Sequence, residues 1–313
     1  MSGPQVHEVQ HEITIVAPAK AVYQLLVEVE NWPLFFPPSV HVEHLELNGE
    51  HERIRIWATA NGEAKTWTSR RRLLPADGRI EFRQEVSSPP VAAMGGAWIV
   101  EDRGDERCHV RLLHDYRAVD DDPTALEWIA AAVDRNSHAE LEALRTHAEQ
   151  GADAPRTLLS FEDTTQIAGT PQQVFDFIDR ADLWDRRLPH VARVRLQDRD
   201  GLQLLEMDTR APDGTVHTTR SVRVCLPPGR IVYKQTQLPA LLALHTGQWR
   251  FEENAGGVLA TSQHTAVINE AAIALVLGAG AGLDEARKAV RTALGTNSLS
   301  TLAHAKAHIE GRS

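Results

Sequence analysis

The chain is poor in cysteine and in long apolar runs, and both shortages limit what it can be. Cys108 and Cys225 are too few for a disulfide framework or a cysteine-rich zinc site, and they fit a reducing cytoplasm. The longest apolar stretch, AAIALVLGAGAG at 271–282, is too short and glycine-rich to span a membrane, so we interpret it as a loop or helix segment over the core. The N-terminus MSGPQVHEVQ lacks a charged segment followed by an apolar run, and we therefore expect no signal peptide.

Positive charge is also in short supply. The chain has 33 Lys and Arg against 43 Asp and Glu, a formal net charge of −10, which makes it a poor candidate for general nucleic-acid binding. Its hydrophobic content of 42% and charged content of 24% are ordinary for a globular protein. A length of 313 residues favours two domains over one.

The second half of the chain repeats the first half with a shift of about 150 residues. ITIVAPAKAVYQLL corresponds to TQIAGTPQQVFDFI, and LLPADGRIEFRQ corresponds to CLPPGRIVYKQ after a one-residue deletion. The small and proline residues of EQGADAPRT at 149–157 indicate a short linker, so we predict domains at 1–152 and 153–313. The matched positions run in the same order in both halves: Trp32 with Trp184, Pro37 with Pro189, Trp98 with Trp249, and His114 with His264.

Each half has the same predicted order of elements. A short strand leads to a helix at 19–29 or 171–180, several strands follow, and a long helix ends the unit. Strands in succession with helices at the ends predict an α+β unit with an antiparallel sheet. A curved sheet around one helix leaves a gap where ligands tend to bind. The predicted strands of the first half are 41–48, 52–60, 65–74, 79–86, 96–102 and 108–119, and the apolar positions of its long helix are Leu126, Ile129, Val133, Leu141 and Leu144.

The segment TWTSRRRLLP at 66–75 alternates like a strand, yet neither of its faces is apolar. A lone arginine is costly in a dry core, so we expect the face that carries Arg71 to line a cavity. The alternative is that Arg71 pairs with an acidic residue on a neighbouring strand and faces solvent. The two sets of alternate side chains are Trp67, Ser69 and Arg71 on one face and Thr68, Arg70 and Arg72 on the other.

The order of VYQLLVEVENWPLFFP, TWTSRRRLLP, VAAMGGAW, LLHDY and a long final helix resembles the polyketide aromatase/cyclases. These proteins share the helix-grip fold of START and Bet v 1 proteins, and the resemblance covers nearly the whole chain twice. It implies a di-domain aromatase/cyclase of a type II polyketide synthase. Each domain would be a curved antiparallel sheet wrapped around a long C-terminal helix with an interior cavity.

The resemblance also implies a function without a cofactor. An acyl carrier protein would deliver a poly-β-ketone, reduced at one carbonyl by a ketoreductase, into the cavity. The enzyme would promote aldol closure of the first ring between carbons seven and twelve and help eliminate water to make the ring aromatic. Other synthase components, such as the ketoreductase and a later cyclase, would be partners, with no nucleic acid and no membrane involved.

Site residues are carried over from the family pattern position by position. The family's cavity tyrosine, seven residues after the first tryptophan, is Ser39 in one half and Val191 in the other, so a mechanism that needs that phenol is in doubt. His245 stands where the first half has Met94. The implied catalytic residues are Arg71, Ser69 and His114 with their counterparts Arg223, Ser221 and His264, and the implied substrate-binding residues are Trp32, Phe36, Trp67, Met94, Trp98, Trp184, Thr219 and Trp249.

The chemistry of these side chains fits ring closure. Aromatic walls select one conformer of a flexible ketide. Arg71 stays protonated and would polarise a ketone or hold an enolate, with Ser69 orienting the carbonyl. His114, with an ordinary pKa of about 6.5, would exchange protons with the methylene and the leaving hydroxyl. The complete Trp-Ser-Arg row favours the N-terminal half as the catalytic one.

Other interpretations stay open at this point. The fold also hosts non-catalytic carriers of apolar or isoprenoid ligands, which would line the cavity mostly with apolar residues. His304 and His308 lie one helical turn apart, but no third ligand is evident, and we expect no metal site there. The arginine pairs Arg70/Arg72, Arg186/Arg187 and Arg193/Arg195 are either ordinary surface charge or a docking surface for an acidic carrier protein.

Overall fold

The computed structural model of the protein describes residues 6–151, 156–210 and 214–311. These residues divide into two compact units, one on each side of 152–155. The predicted boundary between residues 152 and 153 lies outside the described residues. In the part of the chain that is described, no helix is long and apolar enough to cross a membrane.

In residues 6–151 the N-terminal unit has seven antiparallel strands in the order β1-β7-β6-β5-β4-β3-β2, and a long helix, α3, packs on β1 and β7. Asp122 caps α3 by accepting hydrogen bonds from the N–H groups of Thr124 and Ala125, and Pro123 occupies its first turn. The elements in chain order are β1 His7–Ile15, α1 Ala19–Val27, α2 Trp32–Phe35, β2 Ser39–Asn48, β3 His51–Ala60, β4 Glu63–Leu74, β5 Arg79–Val86, β6 Val91–Gly104, β7 Arg107–Ala118 and α3 Pro123–Gln150.

The C-terminal unit repeats this architecture in residues 156–210 and 214–311, with strand order β8-β14-β13-β12-β11-β10-β9 and a long final helix, α7. The predicted α+β fold with two antiparallel sheets is therefore confirmed. The elements are β8 Leu158–Ile167, α4 Pro171–Asp179, α5 Trp184–Arg187, β9 Val191–Arg199, β10 Leu202–Arg210, β11 Val216–Leu226, β12 Arg230–Gln237, β13 Leu242–Asn254, β14 Gly257–Ile268, α6 Ile273–Leu277 and α7 Leu283–Ile309.

The apolar stretch at 271–282, which we predicted to lie over the core, covers it only in part. Ile273 is buried and packs in a small apolar cluster with Leu241 and Val290. Leu275, by contrast, is 85% exposed in the five-residue helix α6. The N-terminal unit has only a short turn between β7 and α3, so this segment is an addition to the repeat.

A β-bulge interrupts the pairing of β4 with β5 between Thr68 and Ser69, and another interrupts β11 with β12 at the matching place, between Arg220 and Ser221. A bulge bends its strand and re-aims the side chains beside it. The extra residue, Glu85 of β5 or Thr236 of β12, lies on the strand that pairs with the Ser-x-Arg strand, so the repeat preserves the same irregularity beside these residues.

A glycine on the neighbouring strand makes room for a ring in each sheet. A Cβ at Gly247 would lie 2.3 Å from the carbonyl oxygen of Gln263 and 2.6 Å from the Tyr233 hydroxyl. A Cβ at Gly96 would lie 1.8 Å from the carbonyl oxygen of Leu113 and 2.9 Å from Cζ of Phe82. Only a glycine permits this close approach without moving backbone.

We predict that Gly247→Ala lowers the free energy of unfolding by about 2 kcal/mol or more, since the new methyl group overlaps a backbone oxygen. Urea unfolding followed by tryptophan fluorescence measures the loss. Gly229→Ala is the matched control, because nothing lies within 4 Å of its added Cβ, and it should stay within about 0.5 kcal/mol of the parent. Equal midpoints for the two variants would refute the steric argument.

Candidate active site

A cavity lies between the sheet and α3 of the N-terminal unit. It consists of two chambers of about 140 and 100 Å³ that share much of their lining. The larger chamber runs along α3, and the smaller one reaches inward to Arg71. Trp32, Trp67, Met94 and His114 line both chambers, and Phe36, Ser69, Arg71 and Trp98 line the smaller one, so the structure brings together all the predicted N-terminal site residues.

The C-terminal unit has a cavity of about 130 Å³ at the matching place. His245 lines it, and so do Ser298 and Thr301 of α7. Every predicted C-terminal site residue contributes to this lining: Trp184, Thr219, Ser221, Arg223, Trp249 and His264.

Arg71 is only 3% exposed, and its guanidinium is already bound within the protein. Its Nη1 lies 2.7 Å from Glu52 Oε1 on the neighbouring strand β3, and its Nη2 donates a hydrogen bond of 2.6 Å to the carbonyl oxygen of Leu26 at the end of α1. The group also stacks over Trp32 at 5.1 Å. The alternative that Arg71 has an acidic partner is correct, but the solvent-facing position that went with it is wrong, because Arg71 is buried and lines the smaller chamber.

Arg223 repeats this arrangement with a neutral partner. Its Nη1 donates to Gln203 Oε1 at 2.8 Å, its Nη2 donates to the carbonyl oxygen of Ile178 at 2.7 Å, and it stacks over Trp184 at 5.1 Å. The Gln203 amide in turn donates to carboxylate oxygens of Asp179 and Asp198. Gln203 therefore connects Arg223 through hydrogen bonds to the carboxylates of Asp179 and Asp198.

Both arginines join the central sheet to the C-terminal end of the first helix. Carbonyl groups there have no partner within the helix and carry partial negative charge, so a cation binds them well. Burial lowers the pKa of Arg71 to about 10 and also lowers the pKa of Arg223. Arg71 still remains protonated at neutral pH. We infer that each arginine mainly positions the tryptophan beneath it.

His114 is not the near-neutral base that the sequence suggested. Burial lowers its pKa to about 4, with a smaller effect from the nearby His11. The imidazole is therefore neutral at physiological pH. Its Nδ1 is buried and has no hydrogen-bond partner among the residues that the structure describes, while Phe82 contacts the ring edge-on. An unpaired, neutral ring nitrogen in a cavity is suited to accept a proton from a ligand.

Glu140 lines both chambers from α3, and the sequence analysis missed it. Burial alone raises its pKa to about 8, so the carboxyl group is protonated at neutral pH. The available signal was its spacing: Val133, Ser137, Glu140 and Leu144 follow one another at helical intervals, which places an acid on the buried face. The repeat is a second signal for Glu140. Asn136-Ser137 matches Asn297-Ser298, and this alignment places Thr301 of the second half at the position of Glu140.

A hydrogen-bonded network around His264 lines the C-terminal cavity. Its Nδ1 lies 2.9 Å from the Tyr233 hydroxyl and 3.0 Å from His245 Nε2, and its Nε2 lies 2.7 Å from the Ser298 hydroxyl. Burial lowers the pKa of His264 to about 4 and that of His245 to about 3. Both rings are neutral, and the reactive nitrogens of His264 are already occupied.

Unpaired donors remain in both cavities. The indole N–H groups of Trp32 and Trp184 are buried without a hydrogen-bond partner among the described residues. Burying a donor without an acceptor is costly unless a ligand satisfies it. A carbonyl oxygen of a bound molecule would do so in either cavity.

Two tandem antiparallel sheets, each enclosing a cavity beneath a long helix, define a pair of helix-grip domains. The family described as "Polyketide cyclase / dehydrase and lipid transport" matches residues 6–149 and again residues 159–310. The chain belongs to this family, as a tandem pair of its domains. It is an enzyme of the polyketide cyclase/dehydratase class.

The relatives have the same two-domain length. The chain is 50% identical over 93% of its length to the granaticin polyketide synthase bifunctional cyclase/dehydratase of Streptomyces virginiae, 96% of which is covered. It is 44% identical to the actinorhodin polyketide synthase bifunctional cyclase/dehydratase of Streptomyces coelicolor, with 98% of each chain covered. Among solved structures, the di-domain ARO/CYC BexL from the BE-7585A pathway is 58% identical with a TM-score of 0.85 and covers 98% of this chain and 100% of its own.

We predict that Glu52→Leu lowers the free energy of unfolding by about 3 to 5 kcal/mol, because it leaves the buried Arg71 without a counter-charge. Glu52→Gln should cost clearly less, since the C-terminal unit holds Arg223 with Gln203 at the same place. Urea unfolding midpoints of the two variants provide the test. If the glutamine variant is as unstable as the leucine variant, the two arginine sites are not equivalent.

Proposed function

We propose that the protein folds a ketoreduced poly-β-ketone on its acyl carrier protein, closes the first ring between carbons seven and twelve, and removes water to make that ring aromatic. The observation that supports it most directly is the N-terminal cavity, where a neutral histidine and a protonated carboxyl group line the same chambers. Two groups whose pKa values are shifted in opposite directions supply a base and an acid at one pH.

Ring closure uses both groups. His114 takes a proton from a methylene between two carbonyls, and the resulting enolate carbon attacks a ketone carbon. Glu140 gives its proton to the ketone oxygen, which becomes the hydroxyl of the aldol. The indole N–H of Trp32 is placed to hold an oxygen of the chain during this step. At its end His114 is protonated and Glu140 is ionised.

Dehydration then returns both groups to their starting states. The Glu140 carboxylate removes the remaining proton from the carbon beside the carbonyl. His114 gives its proton to the departing hydroxyl, which leaves as water, and a carbon–carbon double bond forms. These two transfers restore the starting protonation states of His114 and Glu140, so the cycle needs no outside acid or base. Loss of the hydroxyl left by ketoreduction, as a second molecule of water, then makes the ring aromatic.

The N-terminal cavity is therefore the proposed catalytic one. The C-terminal cavity has Thr301 in place of Glu140, and its His264 is hydrogen-bonded on both ring nitrogens. Its unpaired indole N–H at Trp184 still supports a role in binding an oxygenated chain. The polar lining of both cavities disfavours the alternative of a carrier for a purely apolar ligand.

The acyl carrier protein remains the proposed partner, because the relatives are named as components of polyketide synthases. Three of the six arginines in the predicted arginine pairs already have acidic partners. Arg70 is paired with Glu85, Arg193 with Asp208, and Arg195 with Glu206. Docking through these pairs would require exchange of existing ion pairs, each of small net worth at the surface.

Reconstitution with a minimal polyketide synthase and a ketoreductase tests the function. Addition of the protein should replace unaided shunt products by a product with an aromatic first ring. Glu140→Gln should lower the rate of its formation about 100-fold or more, since general acid catalysis is lost. Glu142→Gln, two residues further along the same helix and exposed, is the control. An unchanged product spectrum with the parent protein would overturn the proposal.

The pH dependence of dehydration tests the proton assignments. Dehydration needs the His114 and Glu140 pair to hold a single proton, which sits on His114 in the reacting form. We expect kcat/KM for a soluble β-hydroxy ketone to fall below a pH of about 4, where both groups are protonated, and above a pH of about 8, where neither is. The readout is the ultraviolet absorbance of the new conjugated bond. Glu140→Gln should abolish the upper limb, whereas Glu142→Gln should keep it. An upper limb that survives in Glu140→Gln would assign it to another group.

A further inference from the structure

Three potential metal ligands from distant parts of the N-terminal unit meet where α3 packs on β1. His11 comes from β1, while Asp134 and His138 lie one turn apart on α3. Asp134 Oδ1 is 3.1 Å from His11 Nε2 and 3.5 Å from His138 Nδ1. A ring nitrogen of each histidine and a carboxylate oxygen all lie within 4.8 Å of one another.

The separations of 3.1 and 3.5 Å from Asp134 Oδ1 to the two histidine nitrogens are close to those of a tetrahedral zinc site. Zinc binds imidazole nitrogen and carboxylate oxygen at about 2.0 to 2.2 Å, so neighbouring ligand atoms of a tetrahedron lie about 3.3 Å apart. Two histidines and one carboxylate are a ligand set that suits zinc better than magnesium or calcium, which prefer oxygen. The side chains of Asp134 and His138 are more than 60% exposed, which gives an ion a path from solvent and leaves room for a water ligand.

We call the contact of the first strand with the long helix of each unit the seam. In the C-terminal unit an ion pair holds the seam together. Its strand residue is Asp163, which forms two hydrogen bonds of 2.6 and 3.0 Å with Arg291 of α7. A permanent cation therefore closes the seam between β8 and the long helix. The matching of the two units puts Asp163 at the place of His11, Gly295 at that of Asp134, Leu299 at that of His138, and Arg291 at that of Ala130.

The N-terminal seam has no arginine to take the place of Arg291. Its carboxylate, Asp134, faces the imidazoles of His11 and His138 instead. The permanent cation of the other unit is therefore replaced by Ala130 at this position. A divalent ion would supply that charge and would join strand to helix as the ion pair does.

We propose that His11, Asp134 and His138 bind one zinc ion, with solvent completing the coordination, and that the ion clamps α3 to β1. None of the three residues lines the chambers of the cavity, so the ion is structural and takes no part in ring closure. His138 Nδ1 also lies 2.8 Å from the Asp134 carbonyl oxygen, and zinc bound at Nδ1 would replace that contact. The site goes beyond the proposed function and does not depend on it.

Isothermal titration of the full chain, freed of metal by chelation and carrying no histidine tag, with zinc chloride tests the proposal. We expect one ion per chain, a zinc-dependent rise in the thermal unfolding midpoint, and no competition by magnesium. Removal of one ligand, in Asp134→Asn or His138→Ala, should weaken binding at least about tenfold. His51→Ala, which removes an exposed histidine outside the cluster, should bind like the parent.

Cobalt(II) provides an independent readout, because its visible absorption distinguishes four-coordinate from six-coordinate sites. The parent should give the intense spectrum of a four-coordinate ion, and His138→Ala should lose it. Titration without heat and without a shift of the midpoint would overturn the proposal, and so would equal binding by the parent, Asp134→Asn and His138→Ala. In either of those cases the seam is held by the histidines and Asp134 alone.

Discussion

A buried guanidinium at the junction of sheet and first helix is the interaction on which each unit is built. It binds helix-end carbonyls, a side chain on the next strand, and the face of a tryptophan. Because a charge in that position cannot be left unpaired, the whole set of partners has to form together. The tryptophan that results forms the inner wall of the cavity, so the shape of the binding space depends on this buried charge.

The two units show how one scaffold holds different chemistry. The arginine, the tryptophan, the bulge and the close glycine are the same in both, and they are the parts that define the cavity. The residues that exchange protons differ. An acid on the long helix is present in one unit and replaced by threonine in the other, and a histidine that is unpaired in one unit is fully hydrogen-bonded in the other.

Much of the fold could be predicted from the sequence, because alternation and duplication are local and repeated signals. The strand with Trp67, Ser69 and Arg71 does line a cavity, and the predicted helices and strands differ from the observed ones mainly at their ends. The partners of Arg71 could not be predicted, since Glu52 and Leu26 meet it only through strand pairing and helix packing. The pKa of His114 could not be predicted either, because burial sets it. Glu140 was visible in principle, as the acid on an otherwise buried helical face.

Gly96 and Gly247, which make room for the rings of Phe82 and Tyr233, affect how the chemistry of the two cavities can differ. With the ring held in place by the backbone, the difference between phenylalanine and tyrosine reduces to one oxygen atom at a fixed point. In the C-terminal unit that atom reaches His264 and ties up its lone pair. The N-terminal unit has Phe82 at this place, without the oxygen, and His114 Nδ1 has no hydrogen-bond partner among the described residues. A single nucleotide change between a phenylalanine and a tyrosine codon could therefore convert a histidine with an unpaired Nδ1 into one whose Nδ1 is hydrogen-bonded.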